Sequence, residues 1–104
     1  MPVRVIIRSS MPPVVEIDTE AHAAYVRFKR RGTRVVRTEE LSRMGATVVV
    51  DFDRDDEVIG VELVGVREFG APKLLELARV RVPNADLTRA RYVGAGRGEL
   101  AAAG

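Results

Sequence analysis

Two segments in the middle of the chain alternate strictly and answer one another. Thr47 to Asp53 places Val48, Val50 and Phe52 on one side, and Val58 to Val64 places Ile59, Val61 and Leu63 on one side. A period of two marks a half-buried strand, and the five residues between the apolar runs predict a hairpin. Upstream, Ala24 to Lys29 alternates with Ala24, Val26 and Phe28 on the apolar side; Gly32 supplies a turn, and Thr33 to Glu39 is expected to run back as its partner strand. Val14 to Asp18 carries Val15 and Ile17 on one face and Glu16 and Asp18 on the other. Val3 to Ser9 alternates more loosely and suggests an edge strand, broken by Met11-Pro12-Pro13 because neither proline can donate to a ladder. Met11 could also serve as a start, with the first ten residues an upstream extension.

Between these strands, Asp18-Thr19-Glu20-Ala21-His22-Ala23 reads as a compact turn in which Asp18 or Thr19 caps exposed amides. Leu41 to Ala46 reads as a loop pivoting on Gly45. After Gly65 the period changes. Pro72 suits the first turn of a helix whose apolar face is Leu74, Leu75, Leu77 and Ala78, and Pro83 is expected to stop it. Asn84 or Asp86 could cap a second short helix to about Tyr92, although Leu87 to Val93 is equally readable as a strand. Gly94 to Gly104 is rich in Gly and Ala and predicts a flexible tail.

These elements predict an α+β fold. A small antiparallel, meander-like sheet of four to five strands is packed on one face by one or two short C-terminal helices, because the sheet alone leaves its valines uncovered. With 104 residues, one domain over 1–93 is expected, with a core at 14–64, an extension at 65–93 and the tail beyond. A core of this size leaves apolar surface to cover, so a homodimer is expected, formed through the N-terminal edge strand. No run approaches the length of a membrane span and the N-terminus is too charged for a signal peptide, so the expected location is cytoplasmic.

Composition narrows the chemistry. Cysteine is absent, which removes disulfides, thiol catalysis and zinc–thiolate sites. The net charge is only +2, but the charges are segregated. Residues 27–37 hold Arg27, Lys29, Arg30, Arg31, Arg34 and Arg37 with no acid, whereas residues 51–62 hold Asp51, Asp53, Asp55, Asp56, Glu57 and Glu62 against Arg54 alone. A basic hairpin could track phosphates, but Tyr25 and Phe28 are thin aromatic interleaving and Phe28 points inward, so nucleic acid is the alternative partner rather than the favoured one.

The acidic stretch nearly spells a twelve-residue calcium loop, with Asp51, Asp53 and Asp55 at positions one, three and five and Glu62 at position twelve. Two features argue against it. Position six needs glycine for the sharp turn and holds Asp56, and the flanks are β-branched strands rather than helices. The same residues serve a hairpin: Asp53, Asp55 and Asp56 form the tip, and at most a weak cation site remains at Asp51, Asp53, Asp55 and Glu62. Asp51 and Glu62 would repel on the outer face unless Arg27 and Arg37 of the basic hairpin neutralise them.

The turn Asp18 to Tyr25, then Thr38-Glu39-Glu40, Val50-Asp51-Phe52-Asp53 and Ile59-Gly60-Val61-Glu62-Leu63, resemble the small prokaryotic family catalogued as domain of unknown function 2283. The resemblance covers roughly residues 14–64 and rests on Asp18, Glu20, His22, Tyr25, Asp51, Asp53, Gly60 and Glu62. His22 stands where the family pattern has a second Asp, and Asp56 stands where it has the glycine of the hairpin tip. The resemblance implies a small β-rich domain without an established activity. An antitoxin role beside a small toxin-like protein is its most specific suggestion.

His22 is the only histidine, which excludes a histidine cluster. A general base beside Asp18 and Glu20 would lack a recognisable nucleophile nearby, and Tyr25 with Glu62 is expected to form a structural hydrogen bond on the outer face. No catalytic residue and no cofactor is assigned. The leading expectation is a non-catalytic protein-interaction module with a small protein partner; a metal-dependent enzyme built on Asp18, His22, Asp51 and Glu62 ranks last.

Overall fold

The computed structural model describes residues 5–43 and 45–94. The chain forms β1 (Val5–Ile6), β2 (Val14–Asp18), β3 (Ala23–Arg27), β4 (Arg37–Arg43), β5 (Ala46–Phe52), β6 (Val58–Val64), α1 (Ala71–Ala78), β7 (Val80–Arg81), a 3-10 turn at Leu87–Arg89 and β8 (Arg91–Gly94). Six strands make one sheet in the order β4-β5-β6-β3-β2-β8, one more than the upper estimate from the sequence. All neighbours are antiparallel except β2 and β8, which are parallel.

The alternating segments put their apolar sides together. Val15, Ala24, Val26, Val48, Val50, Val61 and Leu63 are buried and join one core cluster with Ala71, Leu74, Leu75 and Ala78 of α1. Pro72 sits in the first turn of that helix, as its fixed φ suits. The helix ends well before Pro83, at Arg79, whose left-handed backbone (φ 59°) turns its N–H back to the carbonyl of Glu76. The segment after Pro83 resolves into both readings offered by the sequence: Asp86 caps the 3-10 turn by accepting from the Thr88 N–H, and Arg91–Gly94 is a strand. Apart from Gly94, the predicted tail lies outside the described residues. Among the described residues no helix is long and apolar enough to cross a membrane.

Three expectations are corrected. β3 does not pair with the chain that follows it. Every residue from Ala23 to Phe28 is buried, so β3 is an interior strand with a partner on each side, β2 and β6. Residues 34–36 are exposed and do not alternate, and the return strand pairs instead with β5. There is therefore no basic hairpin at 27–37; those residues are the end of β3, a crossing loop and the start of β4. Secondly, the predicted loop from Leu41 to Ala46 contracts to a turn at Gly45 (φ 85°), because β4 continues through Arg43. Thirdly, the N-terminal segment is not an edge of the main sheet: β1 pairs in parallel with β7 as a separate ribbon, the Ile7 N–H donates to the carbonyl of Arg81, and the Ile7 side chain enters the core.

Candidate functional site on the outer face of the sheet

The face of the sheet away from α1 carries most of the polar residues that the sequence singles out. Strand register fixes which of them meet. Tyr25 of β3 lies between Glu16 of β2 and Glu62 of β6, while Arg27 lies beside Gly60, which in turn lies beside Asp51 of β5. The Tyr25 ring lies over Gly60: a Cβ there would fall 2.5 Å from its Cζ and Oη. Glycine thus opens the path by which the Tyr25 hydroxyl reaches across β6 and donates to Asp51 Oδ2 at 2.8 Å. The expected Tyr25–Glu62 hydrogen bond is replaced by Tyr25–Asp51, because the ring is longer than the strand spacing of about 4.8 Å.

Behind Tyr25, the Arg27 guanidinium stands 4.9 Å from the ring centroid and donates to Glu16, with Nη2 at 3.3 Å from Oε1. Arg31 reaches the same carboxylate at 3.2 Å. Glu16, Tyr25 and Arg27 are only 4%, 8% and 9% exposed, which is unusual for the uncovered side of a sheet. Arg27 is therefore committed to Glu16 and not to Asp51 or Glu62. Glu16 is the member of this network that the sequence pattern did not single out. Its signal was present but faint: it sits between Val15 and Ile17, so a buried β2 forces its carboxylate onto the face that holds Tyr25 and Arg27.

Electrostatics follow from this packing. Burial, then the charge and the hydrogen bond of Asp51, hold the Tyr25 phenol far above its ordinary range. Burial and, secondarily, Asp51 also raise the Glu62 carboxyl. At the hairpin tip, Asp53 moves the other way: the N–H groups of Glu57 and Asp55 donate to Oδ1 at 3.0 and 2.9 Å and lower it.

The remaining acids serve local structure. Asp18 Oδ1 accepts from the Ala21 N–H at 3.1 Å, as a cap of the β2–β3 turn. Glu20 is exposed in that turn. His22 has φ 52°, and its carbonyl accepts from the N–H groups of Gly65 and Val66, which pins the turn to the end of β6. Asp18 and His22 stand at that end of β3, whereas Asp51 is level with Arg27 four residues along, about 13 Å away by strand rise. The constellation of Asp18, His22, Asp51 and Glu62 is thus divided. Nor do Asp51, Asp53, Asp55 and Glu62 converge: Asp51 receives Tyr25, Asp53 receives backbone amides, and Asp55 is exposed at the tip. Among the described residues no three His, Asp or Glu side chains gather as metal ligands would.

The basic residues are largely paired. Lys29 Nζ lies 2.6 Å from Glu57 and 3.8 Å from Asp53, and Arg37 lies 2.6 Å from Asp56 and 2.7 Å from Glu39 while covering the Phe52 ring at 3.9 Å. These acids raise both cations above their usual range. Arg37 sits on the α1 side of the sheet and does not reach Asp51. Arg30 and Arg34 are exposed.

The family model described as "Protein of unknown function (DUF2283)" matches residues 15–67. The chain belongs to this family. No curated protein and no solved structure matches it. The matched region runs from β2 through β6, so the outer-face network and both turns lie within it, whereas α1, β7 and β8 lie beyond. His22 and Asp56 have φ 52° and 62°, so both adopt the left-handed conformation that Asp and Gly tolerate better than most residues. Tyr25, Asp51 and Gly60 form one interlocked contact.

Proposed function

We propose that this chain is a non-catalytic protein-interaction module that docks a partner through the β4 edge of its sheet. The observation that carries this reading is the edge itself. Among the described residues no strand lies on the outer side of β4, whose seven residues include no proline. The two residues before it, Val35 and Val36, are 43% and 58% exposed and extend the edge with apolar side chains. Asp18, Asp51 and Asp53, three of the acids that could have served chemistry, accept hydrogen bonds within the chain. An antitoxin-like partnership with a small protein is the specific form suggested by the family resemblance.

Nucleic-acid binding is less well supported. Of its six basic residues, Arg27, Lys29, Arg31 and Arg37 already face acids, leaving Arg30 and Arg34. Two phosphate contacts would give a salt slope of only about −2, against about −5 for six.

The test is co-expression with the proteins that its neighbouring genes encode, using Thr38→Pro and Glu39→Pro. Adjacent residues of an edge strand point their N–H groups alternately inward and outward, so one of the two prolines leaves the fold intact. That variant, recognised by a melting temperature near that of the unmodified chain, is expected to lose the co-purifying partner. Recovery of the chain without a partner, or equal recovery of the complex with both prolines, overturns the reading.

A further inference from the structure

About Thr38 the β4 edge is complementary to itself in charge, with Arg37 on one side and Glu39 on the other. We infer that in the isolated protein its occupant is a second copy of the same edge, joined antiparallel about a twofold axis through Thr38 to give a continuous twelve-stranded sheet. The inference rests on β4 being the docking edge and names what binds there.

The register follows from charge. A twofold axis perpendicular to the sheet keeps each face on its own side, so residues meet only in pairs of like facing. Centring on Glu39 or Glu40 sets a carboxylate against its own copy, and centring on Arg37 does the same for a guanidinium, each destabilising. Centring on Leu41 leaves Val35 and Val36 unpaired and sets Arg37 against the Gly45 turn. Centring on Thr38 brings Arg37 opposite Glu39 of the second copy, twice by symmetry. It also pairs the two Thr38 side chains on the outer face.

Arg37 is suited to bridge, since it already holds Glu39 at 2.7 Å and a guanidinium has donors for more than one carboxylate. Exposed edges invite pairing, and the charged residues of this one discourage any partner strand that does not set Arg37 against a carboxylate and Glu39 against a cation.

Sedimentation equilibrium of the purified chain is expected to give twice 11.4 kDa. Arg37→Glu and Glu39→Arg, each alone, oppose like charges and are expected to give monomers. Mixing the two single variants restores opposite charges on both sides, and a heterodimer is expected. Thr38→Lys, on an exposed position that no core contact uses, gives a second monomeric variant in case Arg37→Glu fails to fold for want of its contact with Phe52. A monomer at every concentration overturns the inference, as does a dimer indifferent to all three substitutions. Monomeric single variants that stay monomeric on mixing overturn the Thr38 register and with it the proposal. If the pure chain is monomeric while the tolerated proline still abolishes capture of a neighbour-encoded protein, the self-pairing fails and the interaction reading stands. If neither dimer nor proline-sensitive complex exists, both fail.

Discussion

A methyl group at Gly60 would fall 2.5 Å from the ring carbon that bears the Tyr25 hydroxyl, and the ring cannot swing aside without leaving Asp51. Gly60→Ala is therefore expected to cost about 1–3 kcal/mol, the range for overpacking a filled site. In a Tyr25→Ala background the same substitution should cost under about 1 kcal/mol, because the obstruction is gone; urea denaturation of the four-member cycle measures the difference. Full additivity would show that the two residues do not interlock. Glu62, beside the same ring, gives a pH-dependent expectation. Its carboxyl is raised by burial and by Asp51, so the fold favours the protonated form. The unfolded chain releases this proton at about pH 4.3, and stability is lost as pH rises through the higher folded value. Glu62→Gln should thus raise the denaturation midpoint at neutral pH and leave it unchanged below about pH 4. A gain that persists in acid would contradict this origin. The residue types here were legible in the sequence, and so was the outer face. Their partners were not: Tyr25 reaches Asp51 only because Gly60 intervenes, and Arg27 finds Glu16 only because β2 lies on its other side.

Among the elements, those with a strong local pattern were legible in place and kind. The β5–β6 hairpin, the β2–β3 turn capped by Asp18 and the helix opened by Pro72 all occur where their residues point. The departures share a cause. A strand following a short turn usually pairs with its predecessor, which is the pairing expected of residues 33–39. That preference yields here to burial: β3 is covered on both faces and takes β2 and β6, leaving β4 to cross over to β5. The N-terminal segment shows the same limit, since its loose alternation marks a strand but not the partner. Because Ile7 is 3% exposed and β1 pairs with β7, a chain begun at Met11 should lose at least about 2 kcal/mol, the burial of one large aliphatic side chain. For a domain of this size that corresponds to a fall of at least about 8 °C in melting temperature. An unchanged melting temperature would mean that β1 does not contribute to the core.

For the whole molecule, the alternation and turn chemistry of the sequence determined an α+β fold, one hairpin of acidic tip, one amphipathic helix and a family signature, because each of these depends on residues close together in the chain. Tertiary structure decided the strand order, the partial neutralisation of the basic segment and the place of β4 at one edge of the sheet. These depend on which strands are buried on both faces, a property of the packed sheet as a whole. Backbone hydrogen bonds are the same for any partner, so local residues do not name the neighbour. The acidic and basic segments, separate in sequence, meet only in part: Lys29 and Arg37 hold the hairpin tip, whereas Arg27 and Arg31 turn to Glu16. The apparent calcium loop and the apparent basic hairpin both dissolve at that point, because pairing across the sheet brings the charges of other strands to theirs.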